Sequence, residues 1–167
     1  MTSHLRRMQA STSRVHCALS LELLRQESSD AVRQRRDAQT PSANQDFFIE
    51  RDGVRYAGAH LIIDLYDADH LDDLKLMESS LRRCVEVAGA TLLHIHLHPF
   101  EPNGGISGVA VLAESHISVH TWPELRYAAF DVFMCGAARP ERCIEVLLDA
   151  FSPRRVAIEE LLRGSAV

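Results

Sequence analysis

Residues 106–134 read ISGVAVLAESHISVHTWPELRYAAFDVFM. Three runs in this stretch, 106–112, 117–121 and 127–134, are rich in strand-forming residues and are separated by short breaks. In the middle run Ile117, Val119 and Thr121 take one face while His116, Ser118 and His120 take the other, because successive strand side chains point to opposite sides. That alternation predicts a half-buried strand with a polar solvent face.

The pattern extends outward on both sides. Upstream, Leu61, Ile63 and Leu65 alternate with Ile62, Asp64 and Tyr66, which predicts a strand over 60–66. Leu71, Leu74, Met77, Leu81, Cys84 and Ala88 recur every three or four residues, the mark of a helix with one buried face. Asp67 and Asp69 are candidates to cap it, and Gly89 suits its end. A strand is expected over 91–98, then a loop at Pro102, Asn103, Gly104 and Gly105. Downstream, Pro140 fits the first turn of a second helix, whose apolar stripe is Ile144, Leu147, Leu148 and Phe151. Val156 and Ile158 predict a final short strand. This order fits an α+β fold, one sheet with both helices on one face. The other face then needs polar residues or a partner, so a homodimer is expected.

The chain has 167 residues, 46% hydrophobic and 25% charged, which suits one globular domain. A net charge of −5 argues against nucleic-acid binding. No apolar stretch approaches the length of a membrane span, so no membrane partner is expected. Cys17, Cys84, Cys135 and Cys143 form no C-x-x-C pair and read as reduced thiols of a cytoplasmic protein. Residues 1–52 are expected to be a disordered extension and 53–167 the domain. Within the extension, Cys17 to Leu24 is a short helix candidate and 33–46 a solvated linker. No apolar run follows Arg6 and Arg7, which disfavours a signal peptide.

Three groups of residues are candidates for chemistry. The segment 112–124 packs two serines, two histidines, two glutamates and the single tryptophan into thirteen positions. His94, His96 and His98 share one strand face with zinc- or copper-like spacing, yet no carboxylate partner is evident and no metal is assigned. Cys135 precedes Gly136; a buried inert thiol is the usual state of such a residue, and nothing local decides between that and a functional one.

The ordered set Gly105-Ile106-Ser107-Gly108, Ala113 through Glu124, Tyr127-Ala128-Ala129 and Asp131 through Gly136 resembles prokaryotic S-adenosylmethionine decarboxylase, with His60-Leu61-Ile62 similar to the family's first strand. The likeness spans roughly residues 56–162. It implies a two-layer α/β sandwich with a mainly antiparallel sheet, and a homodimer whose sites use residues of both protomers. It also implies a proenzyme that cuts itself between Glu114 and Ser115, giving chains 1–114 and 115–167. Ser115 is then the precursor of a covalent pyruvoyl cofactor, the group that takes the substrate amine as a Schiff base. By the same resemblance His120 moves a proton during processing, Ser107 assists processing, and Cys135 is the proton donor of turnover. Phe100 matches the position that stacks on adenine and Glu124 the position that holds the ribose hydroxyls. The loop 102–105 is one residue longer than in some members. The implied product is decarboxylated S-adenosylmethionine, the aminopropyl donor for spermidine synthesis.

Two other readings compete. A pyruvoyl-dependent arginine or ornithine decarboxylase shares the catalytic residues but has no use for the adenine and ribose contacts of Phe100 and Glu124. A non-enzymatic metal-binding module would use His94, His96 and His98 and leave the chain uncut.

Overall fold

Strand β1 (Ile49–Arg51) and β2 (Val54–Tyr56) form a two-stranded hairpin at the start of the described residues, which are 47–165 of a computed structural model. There follow β3 (Gly58–Tyr66), α1 (Leu74–Ala88), β4 (Leu92–Pro99), β5 (Ile106–Leu112), β6 (Ser115–Trp122), β7 (Tyr127–Met134), α2 (Arg142–Phe151) and β8 (Arg155–Arg163). The last six strands make one sheet in the order β4-β5-β6-β7-β3-β8. Every neighbouring pair is antiparallel. The α+β expectation is met, as a six-stranded antiparallel sheet with two helices.

The period-two pattern explains the layering. Leu61, Ile63, Leu65, Ile117, Val119, Phe130 and Val132 are at most 4% exposed and meet Met77, Leu81, Cys84, Leu147 and Phe151 of the helices in one core. Their strand neighbours His60, Ile62, His116, Ser118, Asp131 and Phe133 stay half-exposed on the opposite face. Thr121 is the polar exception on the core side. Its hydroxyl accepts from Ile106 N–H at 2.7 Å and donates to Leu71 O at 3.0 Å, so burial leaves nothing unpaired. Gly108 is required by close approach: a Cβ there would collide with His96 O and Leu97 Cδ2 of β4.

Several local expectations are corrected. The cap of α1 is Asp73, not Asp67 or Asp69; its carboxylate accepts from Lys75 and Leu76 N–H, both at 2.9 Å. Leu71 is buried but precedes the helix. Gly89 ends α1 at φ +74, as its position suggests. Pro140 lies before α2, where its carbonyl accepts from Cys143 N–H at 3.0 Å. The final strand is nine residues long, because it runs the full length of β3 from Gly58↔Arg163 to Tyr66↔Arg155. The expected boundary at residue 52 falls on the turn of the β1–β2 hairpin. The helix candidate at 17–24, the linker at 33–46 and residues 1–46 of the expected extension lie outside the described residues. Among the described residues no helix is long and apolar enough to cross a membrane.

Candidate active site

The candidate residues fall into two groups at opposite ends of β6. The first centres on the hairpin turn between β5 and β6. Leu112 pairs with Ser115, which leaves Ala113 and Glu114 as the turn. Glu114 has φ +59, a left-handed conformation that costs a non-glycine residue about 1–3 kcal/mol. The peptide it shares with Ser115 is therefore held in a strained turn. Ser115 is 8% exposed, and its Oγ accepts from Cys135 N–H at 3.2 Å. Strand β7 brings Cys135 there from twenty residues away, just past Met134. Burial raises the Cys135 thiol pKa above its usual value, and the Glu114 charge adds to that, while the hydrogen bond with the Ser115 side chain opposes it. The thiol therefore holds its proton at neutral pH. Gly58 at the start of β3 makes room: a Cβ on it would lie 2.6 Å from Met134 O and 3.0 Å from Cys135 Sγ.

The second group lies at the far end of β6, on the open face. Ser107 pairs with His120 across β5 and β6, and Ser107 Oγ is 2.8 Å from His120 Nδ1. Beside them a cavity of about 480 Å³ is lined by Phe100, Asn103, Ser107, His120 and Trp122, among others. Phe100 is 47% exposed at this cavity, with its ring edge-on to His98 at 4.8 Å. Glu124 accepts from Asn103 Nδ2 at 3.3 Å, which holds its carboxylate against the same loop. Trp122 stacks on Tyr127 at 5.2 Å between ring centroids.

Ser115 and His120, assigned to one reaction by the sequence resemblance, are thus not together in a single chain. Five residues of strand separate them by about 17 Å, and His120 is exposed on the face opposite Ile117 and Val119. His94, His96 and His98 point to the open face at the sheet edge, opposite Val111, Val109 and Ser107. No group of three or more His, Cys, Asp or Glu among the described residues is arranged to hold a metal ion.

A polar cluster between the two groups was missed from sequence. Asp131 accepts from Ser118 Oγ at 3.1 Å and lies 3.2 Å from His60 Nε2. Arg163 donates to His60 Nδ1 at 3.3 Å, so the ring proton sits on Nε2 and points at Asp131. Next to it Tyr127 OH donates to Asp64 at 2.6 Å, and this bond is the main reason its pKa is pushed up to about 12. Only the strand parity of these residues was visible beforehand, since their partners lie 13 to 103 residues away. Trp122 and Asn103 were also unassigned; the single tryptophan beside His120 was the available signal.

The family model of S-adenosylmethionine decarboxylase matches residues 59–164. The chain belongs to the S-adenosylmethionine decarboxylase family. It is 44% identical over 115 residues to the S-adenosylmethionine decarboxylase proenzyme of Thermomicrobium roseum, covering 68% of this chain and 99% of that one. A proenzyme of the same name from Methanococcus aeolicus is 45% identical over 117 residues, with the same coverage. The crystal structure of the adenosylmethionine decarboxylase from Aquifex aeolicus superimposes with a TM-score of 0.58 at 32% identity, over 65% of this chain and 92% of that chain. The β3-to-β8 sheet and its two helices therefore make up the decarboxylase fold, and both groups of candidate residues lie within the matched span.

Proposed function

We propose that this chain is a self-processing S-adenosylmethionine decarboxylase of the cytoplasm that works as a homodimer. The observation that carries the reading is the Glu114–Ser115 turn: a left-handed residue directly before a buried serine whose Oγ meets Cys135 N–H. Ser115 Oγ attacks the Glu114 carbonyl carbon, the peptide C–N bond breaks, and an ester forms. Loss of the Ser115 α-proton to a base then expels the Glu114 carboxylate. Water finally displaces ammonia to leave a pyruvoyl group at the head of residues 115–167. The site fits this group, because Ser115 is shielded from bulk water and its Oγ already meets a backbone donor, Cys135 N–H.

His120 is the base that suits the elimination, with Ser107 orienting its ring. Its placement at the far end of β6 calls for a second copy. Two sheets packed face to face, with their β6 strands antiparallel, bring His120 and Ser107 of one protomer to Ser115 and Cys135 of the other. That packing also covers the half-exposed Ile62, Phe133 and Trp122.

The pyruvoyl carbonyl, once formed, supplies the electron sink for loss of CO₂ from the substrate. Cys135, kept protonated by burial, gives a proton to the substrate carbon that has lost CO₂. Phe100 and Trp122 offer aromatic faces for adenine and for the sulfonium charge, and Glu124 accepts from the ribose hydroxyls. These contacts favour a nucleoside substrate over a basic amino acid.

Intact mass of the full-length protein, followed by CO₂ release from carboxyl-labelled S-adenosylmethionine, tests the reading. The expected result is two fragments, 1–114 and 115–167, the second with a blocked N-terminus, together with labelled CO₂. A chain that stays whole after long incubation would sink it. Cys135→Ala is expected to cleave still but to lose about 100-fold or more in kcat, the usual worth of a positioned acid. Turnover at the wild-type rate would assign the proton to another group.

A further inference from the structure

The β1–β2 hairpin lies before the residues that the family model matches, 59–164, yet it reaches the loop that carries Cys135. Asp52 and Gly53 turn it with φ +52 and +74, the paired positive angles of a type I′ turn. Ile49 pairs with Tyr56, Glu50 with Arg55 and Arg51 with Val54. The Arg55 guanidinium lies 4.5 Å over the Phe48 ring. Arg51 reaches Glu160 of β8 at 3.8 Å, and Ala57 N–H donates to Arg163 O at 2.8 Å. The hairpin is thus tied to the sheet.

Both of its ends grip the segment around Cys135. Just before β1, Phe47 O accepts from Gly136 N–H at 2.7 Å. Gly136 is left-handed at φ +61 and follows Cys135 directly. Just after β2, Gly58 approaches Met134 O and Cys135 Sγ so closely that no Cβ fits. We propose that the segment 47–58 is a positioning element for the Cys135 thiol, which fixes the direction in which its proton is delivered. The proposal rests on the reading of Cys135 as the proton donor. Placement matters because a proton delivered to the cofactor carbon leaves the substrate amine on the chain. The N-terminal group of 115–167 then becomes alanine, water releases the decarboxylated substrate as an aldehyde, and the site is dead.

Gly53 gives a test that touches neither end of this grip. A Cβ at Gly53 would meet nothing within 4 Å, so a substitution there acts only through its positive φ. Asn tolerates that angle, Ala less so, and β-branched Val least. Gly53→Asn, Gly53→Ala and Gly53→Val are made in the full chain. Two quantities are measured on the cleaved enzyme: the rate of Cys135 alkylation by iodoacetamide, located by peptide mass, and the number of turnovers before the N-terminal group becomes alanine. For Val, alkylation is expected to rise about five-fold and turnovers per inactivation to fall by a similar factor, from the cost of forcing a strained turn. Ala should fall between, and Asn should match the wild type. Wild-type alkylation in the Val variant overturns the proposal. Faster alkylation with an unchanged number of turnovers per inactivation upholds the positioning role and overturns Cys135 as the donor.

Discussion

Ser115→Ala leaves one uncut chain and no decarboxylation. The substitution removes a single oxygen, the one that must attack the Glu114 carbonyl. The Cys135 thiol beside it is a poor substitute: it lies just past the end of β7, holds its proton through burial, and is not part of the peptide it would have to cut. Ser115 pairs with Leu112 through its backbone, so alanine keeps the register of β5 and β6. The fold should persist with a melting temperature within a few degrees of the parent, as for most small changes that create no large cavity. Intact mass reads the first outcome and CO₂ release the second. Cleavage of this variant between the same two residues would refute serine attack altogether.

A mixture of two dead variants should regain activity. In the proposed mechanism Ser115→Ala lacks the nucleophile and His120→Ala the base at the other end of β6, with an expected loss in processing rate of about 100-fold or more. Random pairing of equal amounts makes half of the dimers mixed. In each mixed dimer one site combines intact Ser115 and Cys135 with the other protomer's intact His120, so about a quarter of all sites are complete. Cutting of the His120→Ala chain should therefore reappear after the two are unfolded and refolded together. Silence in the mixture, with each variant folded, would place the whole site in one chain and contradict the roughly 17 Å separation along the strand.

Much of this layout was legible in the amino-acid order. Strand parity assigned His116, Ser118 and His120 to the open face, and helical spacing found most of the buried stripes of α1 and α2; Leu74, counted on the buried face, is 36% exposed at the first turn of α1. The motif from Ala113 to Glu124 singled out Ser115, which lies directly after the left-handed Glu114. The rest depended on non-local pairing. Asp131 meets His60 across 71 residues, and no periodicity reports such a contact. The cap of α1 was misplaced because four nearby aspartates, Asp67, Asp69, Asp72 and Asp73, offer the same side chain, and only the backbone decides which one meets free N–H groups. The β1–β2 hairpin escaped because strands of three residues carry too little alternation to read, although Asp52-Gly53 is a recognisable turn pair. Ser107 beside His120 was legible only as family likeness, since their 2.8 Å contact follows from the register of β5 on β6.

The order of strands in the sheet decides what the proposed cut would leave behind. The bond between Glu114 and Ser115 divides the elements into β1 to β5 with α1 on one fragment, and β6 to β8 with α2 on the other. In space these do not separate into halves. Strand β3 of the first fragment lies between β7 and β8 of the second, and β5 of the first borders β6 of the second. Three complete ladders therefore cross between the fragments, and each strand of the interlocked set loses a neighbour if the other fragment departs. Scission there would give two chains braided through a common sheet. Such a cut would free a single turn to change its chemistry and leave the framework as continuous as before.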